Sequence, residues 1–141
     1  MKFNRLSLEF EIPDDWLTEG KFQEWLREPR ATRAYRAMEP PFPPDPQDPG
    51  IPQNEADIVP LDLIEPPVSR TLPNGTPFCK ERLLRVLAGF KEDQSLPPVH
   101  TLEALPGPYR FTLFNGFHRF HASVAAGFTH IPAVVSPRIK L

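Results

Sequence analysis

Residues 112–135 read TLFNGFHRFHASVAAGFTHIPAVV, and this stretch decides the fold prediction for the 141-residue chain. The residue pattern indicates a strand, a tight turn, a helix and a second strand. Asn115-Gly116 favours the sharp turn, and Gly127 stands where a glycine is expected at the end of a helix. The β-branched residues of the segment 130–136 predict the final strand.

The start of the predicted helix combines several features of a phosphate site. Its first backbone N–H groups lack partners within the helix, and they carry the positive end of the helix dipole. An imidazole and a guanidinium lie in the first turn, where both can contact a phosphate. The residues that this prediction brings together are Asn115, Gly116, Phe117, His118 and Arg119.

The sequence before this stretch adds a helix and further strands. Apolar residues recur at helical spacing over residues 81–90. Residues 96–105 and 109–115 flank a Pro-Gly-Pro turn and predict a β-hairpin, with Val99 and Leu102 as candidates for burial. Residues 58–64 predict a short strand interrupted by Pro60. These patterns therefore predict a chain that contains both strands and helices.

The N-terminal part predicts a strand and helix that extend this domain. Apolar and polar residues alternate over residues 5–12, which indicates one strand with a buried face. A helix is expected from Pro13 onward, split by Gly20. Because its large apolar side chains are unfavourable in water, we expect the extension to pack on the domain. These side chains are Trp16, Phe22, Trp25 and Leu26.

Proline marks the segment boundaries. Of the 20 prolines, twelve lie in residues 40–78, and residues 39–53 read EPPFPPDPQDPGIPQ. Proline lacks an N–H donor and favours extended backbone, so this run predicts a connector; it could also bind an aromatic groove on a protein partner. We therefore expect an extension over residues 1–38, a Pro-rich connector over 39–54 and a domain over 55–141.

Composition and charge exclude several classes of protein. A single cysteine excludes an internal disulfide, and no apolar run is long enough for a membrane span. Without a visible signal peptide, the expected location is the cytoplasm. Net charge is −1 over residues 1–39, −5 over residues 40–78 and +4 over residues 79–141. The positive charge of residues 79–141 favours an anionic ligand, but this segment is less basic than a dedicated duplex-DNA binder.

The motif residues resemble the ParB/sulfiredoxin superfamily. The sequence Gly116-Phe117-His118-Arg119 is similar to the G-E-R-R-x-R-A motif of ParB N-terminal domains and to the G-C-H-R motif of sulfiredoxins. The resemblance continues through the final part of the motif, at residues 126–135. Upstream, IVPLDLIEPP at 58–67 resembles the opening strand, and residues 82–102 resemble the following helix and strand. The similarity covers roughly residues 55–137.

The resemblance implies an α+β fold, a small mixed β-sheet with packed helices, to which the N-terminal strand and helix are added. It also implies that this domain binds nucleotide phosphates at the G-F-H-R turn. It implies a nucleotide such as ATP or CTP with Mg²⁺, and a nucleotide hydrolase or a phosphotransferase that acts on small substrates. A basic residue near the start of the upstream helix contributes in sulfiredoxins, and here the matching candidates are Arg82 and Lys80. Glu81, Glu92 and Asp93 are the carboxylates available to act as a base, with no preference among them.

Two departures limit the resemblance. Sulfiredoxin chemistry needs a cysteine in the motif, and that position is Phe117 here, so sulfiredoxin activity is not expected. Cys79 lies near a helix start, outside the motif turn, and is expected to be a bystander thiol. No helix-turn-helix segment follows the motif, so sequence-specific DNA binding of the partition type is not expected.

Several alternatives remain open at this stage. The chain could be a ParB-like nuclease or nucleic-acid-binding protein, or a non-catalytic interaction module that docks through its Pro-rich segment. His118, His121 and His130 could suggest zinc, but no Cys or acidic residue completes a known spacing, so no metal site is expected. Arg119 could also pair with a local carboxylate such as Glu81 or Glu92. In that case Arg119→Ala would unfold the ligand-free protein, whereas a phosphate-binding Arg119 predicts little change.

Overall fold

The computed structural model describes residues 1–27, 36–45, 50 and 52–138. These residues form a mixed α+β structure, which confirms the predicted fold class. The strands are β1 (Lys2–Arg5), β2 (Leu8–Glu11), β3 (Asp57–Pro60), β4 (Ile64–Glu65), β5 (Val99–Glu103), β6 (Phe111–Asn115) and β7 (His130–Ser136). The helices are α1 (Asp14–Gly20), α2 (Gln23–Arg27), α3 (Lys80–Lys91) and α4 (Phe117–Ala125).

Five strands form one mixed sheet in the order β3-β7-β5-β6-β4. The central strand β5 pairs antiparallel with β6 and parallel with β7, so the predicted hairpin and the predicted final strand are both confirmed. The short strands β3 and β4 form the two edges. Pro60 ends β3, where its missing N–H is tolerated because an edge strand has a neighbour on one side only.

The two long helices pack against each other and confirm the predicted helices of the domain. The buried residues of α3 are Leu83, Leu87 and Phe90, at helical spacing. In α4 every residue from Arg119 to Ala125 is buried, which makes it the central helix of the fold. Gly127 follows with φ 84°, the conformation predicted for a glycine that ends a helix. No helix in the described part of the chain has the length and apolar character of a membrane span.

The N-terminal strand differs from the prediction. The single strand predicted over residues 5–12 is wrong, because β1 and β2 form a hairpin that turns at Leu6 and Ser7. Both turn residues have positive φ, 54° and 60°, as this type of two-residue hairpin turn requires. Leu and Ser give no sequence signal for such a turn, and their alternation with the following residues looks like a continuous strand.

The N-terminal helices follow the predicted division near Gly20. α1 ends at Gly20, Lys21 adopts the left-handed conformation with φ 59°, and α2 begins at Gln23. A Cβ at Gly20 would lie 2.2 Å from the Phe22 ring, so the close approach of that ring also requires glycine. The division between the two helices is therefore confirmed.

The N-terminal segment shares one hydrophobic core with the rest of the molecule. Ile12, Trp16, Leu17 and Phe22 belong to the same buried cluster as the apolar residues of α3 and α4. Arg5 connects β1 to the end of α4, with its Nη1 donating a hydrogen bond to the Val124 carbonyl oxygen at 2.7 Å. The same carbonyl oxygen accepts a hydrogen bond from the Gly127 N–H at 3.1 Å, so Arg5 adds a second donor at the end of α4.

Residues 36–45 form a segment that we call the strap, and it is attached to the loop before β5. The Leu96 N–H donates to the Ala37 carbonyl oxygen at 3.1 Å, and Ser95 Oγ donates to the Glu39 carbonyl oxygen at 2.7 Å. The strap ends at Asp45, whose side chain is buried. The connector predicted over 39–54 is therefore described only in part, since 46–49 and 51 lie outside the described residues.

One detail of strand β5 corrects the sequence analysis. Val99 is buried as predicted, and Thr101 is buried beside it, but Leu102 is only half-buried. Successive side chains of a strand point to opposite faces, so the residue two positions after Val99 shares its face and the residue three positions after does not.

Candidate functional site

The predicted turn between β6 and α4 is built around Gly116. Its φ is 119°, a conformation that side-chain-bearing residues rarely adopt. A Cβ on Gly116 would lie 2.4 Å from Val99 Cγ1, so the neighbouring strand also leaves no room for a side chain. The turn thus brings the N-terminus of α4 close against β5.

His118 in the first turn of α4 is an uncharged hydrogen-bond acceptor. Its Nε2 accepts a hydrogen bond from the backbone N–H of Cys79 at 2.8 Å, which places the ring proton on Nδ1. Burial lowers the pKa of His118 to about 4, and the positive charges of Arg82 and Arg119 act in the same direction. His118 therefore joins α4 to the start of α3 and is neutral near pH 7.

Arg119 points into the protein and pairs with the strap. Its Nη2 donates to Asp45 Oδ2 at 2.5 Å, and the exposed fractions of the two side chains are 9% and 2%. Its Nη1 donates to the carbonyl oxygens of Pro97 and Pro98, at 3.0 and 2.6 Å. The Asn115 side-chain amide lies 3.5 Å from the same Asp45 oxygen. The carboxylate of Asp45 therefore takes the contact with Arg119 that was predicted for a bound anion.

A cleft of about 710 Å³ lies between α3, the strap and the β6–α4 turn. It is lined by all five predicted residues of the turn, from Asn115 to Arg119, and by Arg82 on α3. Arg85, one helical turn further along α3, also lines the cleft, and both arginines are exposed. The structure thus brings together residues that are more than thirty positions apart in the sequence.

The other predicted basic residue lies elsewhere. Lys80 is absent from the lining of the cleft, and its ammonium group pairs with the Glu19 carboxylate of α1. This pairing raises the pKa of Lys80. Lys80 precedes Arg82 by two residues, a separation that places the two side chains on different sides of a helix. The structure therefore does not bring Lys80 to the turn.

The three carboxylates that were candidates for a base do not line the cleft either. Glu81 is exposed in the first turn of α3. Glu92 and Asp93 follow the opposite end of the helix, roughly 17 Å from its start at 1.5 Å per residue. Asp93 instead lies 3.9 Å from the Arg36 guanidinium. Asp45 is the one carboxylate among the described residues that line the cleft.

The histidines do not form a common site. His121 is buried among the rings of Phe10, Phe78 and Phe117, and its Nδ1 donates to the Phe117 carbonyl oxygen at 2.8 Å. Burial lowers its pKa to about 4. His130 is on β7 with its Nδ1 2.8 Å from Thr129 Oγ1. No group of three His, Cys, Asp or Glu side chains suited to a metal ion occurs in the described ranges.

Cys79 precedes α3 and is one of the residues that line the cleft. Its backbone N–H binds His118, as described above, and its side chain is half-buried. The motif position that carries the sulfiredoxin cysteine is occupied by Phe117, whose ring contacts those of Phe78 and His121. Phe117 thus packs with the buried aromatic residues at the base of the turn.

Among the lining residues that sequence reasoning missed, three matter for the chemistry of the cleft: Asp45, Arg85 and Phe114. Arg85 had a signal, because a residue three positions after Arg82 shares its side of a helix. Phe114 appeared to be one more core phenylalanine in a region crowded with them. Asp45 had no signal, since its position between prolines gives no indication of a contact with Arg119, which is 74 residues away.

Comparison of the chain with models of protein families and with curated proteins finds no match.

Proposed function

We propose that this chain binds a nucleotide in the cleft between α3 and the β6–α4 turn, through a ParB/sulfiredoxin-like domain over residues 55–141. The observation that supports the proposal is the position of Arg82. Sequence similarity alone predicted that a basic residue from the upstream helix would act with the G-F-H-R turn, and both line one cleft of nucleotide size.

The charges of the cleft favour phosphate. Arg82 and Arg85 add two positive charges on one side of α3, and the first turn of α4, at the positive end of the helix dipole, lines the same cleft. Under the proposal the phosphates contact these groups. Arg119 acts as a positioning residue, because its bonds to Asp45, Pro97 and Pro98 hold α4 against the strap and the loop before β5.

The residues of the cleft do not fit a metal ion held by the protein itself. Mg²⁺ prefers carboxylate oxygens and phosphates, and Asp45 is already bonded to Arg119. A Mg²⁺ ion is therefore expected to arrive on the phosphates of the nucleotide, and the proposal derives no catalytic step from it. The activity class that agrees with the resemblance is nucleotide hydrolysis or phosphate transfer, with the base unassigned.

A thermal-shift screen tests the proposal. Parent protein is heated with ATP, ADP, CTP or GTP, each with and without Mg²⁺, and at least one nucleotide should raise the melting temperature. The double variant Arg82→Gln/Arg85→Gln should weaken binding by about 1.5–3 kcal/mol for each charge-assisted contact removed. Arg110→Gln is the matched control, since Arg110 is exposed and does not line the cleft.

Two results would contradict the proposal. One is the absence of stabilisation by any nucleotide. The other is equal loss of binding in the Arg110 control, which would indicate a general charge effect. A salt-dependent mobility shift with DNA or RNA, without nucleotide-induced stabilisation, would instead support the nucleic-acid-binding alternative.

A further inference from the structure

The exposed ring of Phe114 is the second notable feature of the cleft. Among the described residues, the large apolar side chains exposed to solvent are Ile58, Val68, Leu72, Leu105 and Phe114. Single exposed apolar side chains are ordinary. Two of these five, Leu72 and Phe114, line the same cleft, and the Phe114 ring is 65% exposed. The cleft therefore offers apolar surface that the fold itself leaves uncovered.

The Phe114 ring is supported from behind. It contacts the His100 ring edge-on, with ring centroids 5.0 Å apart and an interplanar angle of 65°. His100 is held by a 2.8 Å hydrogen bond between its Nε2 and Ser136 Oγ on β7. Phe114 lies on β6, two residues before Gly116, so the sheet fixes its backbone beside the turn. A ring held in this way loses little freedom when a ligand stacks on it.

We infer that Phe114 is a base-stacking residue, so that the cleft selects a mononucleotide over an anion without an aromatic ring. This inference rests on the proposed function and specifies the class of ligand that the cleft selects. The arginines of α3 explain how the cleft would bind an anionic group of the ligand, but they do not distinguish a nucleotide from inorganic polyphosphate or a sugar phosphate. An exposed aromatic ring in the same cleft makes this distinction, because every base has a face that can stack on it.

Binding measurements by calorimetry with ATP, CTP and inorganic tripolyphosphate test the inference. ATP or CTP should bind roughly tenfold more tightly than tripolyphosphate, the size of effect that one stacked base provides. Phe114→Ala should remove this advantage and leave the affinity for tripolyphosphate unchanged. Leu105→Ala is the matched control, because Leu105 is 67% exposed and lies outside the cleft, and it should alter neither affinity.

The outcomes separate the inference from the proposed function. If tripolyphosphate binds as tightly as the nucleotides, or if Phe114→Ala binds ATP and CTP as the parent does, the stacking role is wrong and the anion site stands. If none of the three ligands binds, the proposed function fails and the inference fails with it. If a short single-stranded RNA binds more tightly than either nucleotide, selection of a mononucleotide is overturned.

Discussion

Asp45 Oδ2 lies 2.5 Å from Arg119 Nη2, and this buried ion pair joins the strap to the central helix. The two residues come from segments that sequence analysis treated separately, a Pro-rich connector and a phosphate-binding turn. Of the two alternatives for Arg119, the structure contains the pairing with a carboxylate, although the partner is Asp45 and not Glu81 or Glu92. Contact between Arg119 and phosphate stays an untested prediction, and the proposed function gives Arg119 a positioning role instead.

The pair predicts that Arg119→Ala destabilises the protein without any ligand. The substitution leaves the Asp45 carboxylate buried without its cation, a change that costs about 3–5 kcal/mol in comparable pairs. The free energy of unfolding in urea measures the loss, and Arg110→Ala should change it by less than about 0.5 kcal/mol. An unchanged unfolding midpoint in Arg119→Ala would show that the ion pair does not stabilise the strap.

Asp45→Asn tests the same contact from the strap. The amide keeps the shape of the side chain but removes a negative charge beside Asn115 and the turn, so phosphate is repelled less. We expect the free energy of unfolding to fall by about 1–3 kcal/mol, because Arg119 loses a charged partner. Nucleotide binding measured by calorimetry should become tighter. Glu92→Gln, outside the cleft, is the charge-matched control. Equal or weaker nucleotide binding in Asp45→Asn would show that the carboxylate does not oppose the ligand.

Gly116→Ala should destabilise the turn through two separate effects. Positive φ costs a side-chain-bearing residue roughly 1–2 kcal/mol, and the new Cβ would also meet Val99 at 2.4 Å. Gly127→Ala separates the effects, because Gly127 has φ 84° and a Cβ added there would have no atom within 4 Å. Thermal unfolding should therefore show a larger loss for Gly116→Ala than for Gly127→Ala. Equal losses would mean that Val99 moves aside freely.

Stability should fall as the pH decreases from about 6.5 to about 4. In the folded protein the pKa values of His118 and His121 are lowered to about 4, whereas the unfolded chain takes up protons near pH 6.5. The unfolded state thus binds more protons across this interval, and acidification favours unfolding by at most about 1.4 kcal/mol per pH unit for each histidine. The contribution of His118 is smaller than this limit, because its ring retains partial access to water.

Urea unfolding at a series of pH values measures this dependence. His121→Phe should flatten the slope, since the buried aromatic surroundings of His121 accept an apolar ring. Leu105→Ala changes an exposed side chain that does not titrate, and this control should retain the slope of the parent. If stability rises between pH 6.5 and 4, the neutral state assigned to the two rings is wrong.

The N-terminal segment should resist limited proteolysis. Its side chains Trp16, Leu17 and Phe22 are buried in the common core, and the Trp25 ring lies 6.5 Å from that of Phe90. Each large apolar side chain removed from water contributes roughly 2 kcal/mol. Mass spectrometry of the digest should show residues 1–27 retained for as long as the domain is intact. Rapid loss of residues 1–38 with a stable remainder would show that the extension does not dock.

Elements that have a characteristic pattern within their own residues were predicted from the sequence. The spacing of Leu83, Leu87 and Phe90 is enough to predict α3, and Asn115-Gly116 predicts the turn before α4. The hairpin at Leu6–Ser7 was missed because its left-handed turn uses residues that rarely adopt that conformation. A turn without glycine or asparagine gives no warning in the sequence.

Only the side of the cleft formed by the β6–α4 turn could be predicted from the sequence. The turn residues are consecutive, so one motif identifies them together. The opposite side depends on which face of α3 meets the turn, and this orientation includes Arg82 and Arg85 but excludes Lys80. The place of Asp45 depends on the path of the strap. Hydrogen bonds from Ser95 Oγ and the Leu96 N–H to carbonyl oxygens of the strap hold that path, and the sequence does not indicate which carbonyl each donor binds.

The bond between Arg5 and Val124 has a consequence for the order in which the chain folds. It joins residues 119 positions apart, and the N-terminal helices likewise pack against helices formed much later in the chain. Contacts of such long sequence separation delay folding, because the loop between them must close before they form. During synthesis the β1–β2 hairpin leaves the ribosome long before α4 is made. Its apolar side chains therefore lack their packing partners during that interval. Until α4 has been synthesised, this early segment therefore exposes apolar surface, which favours aggregation.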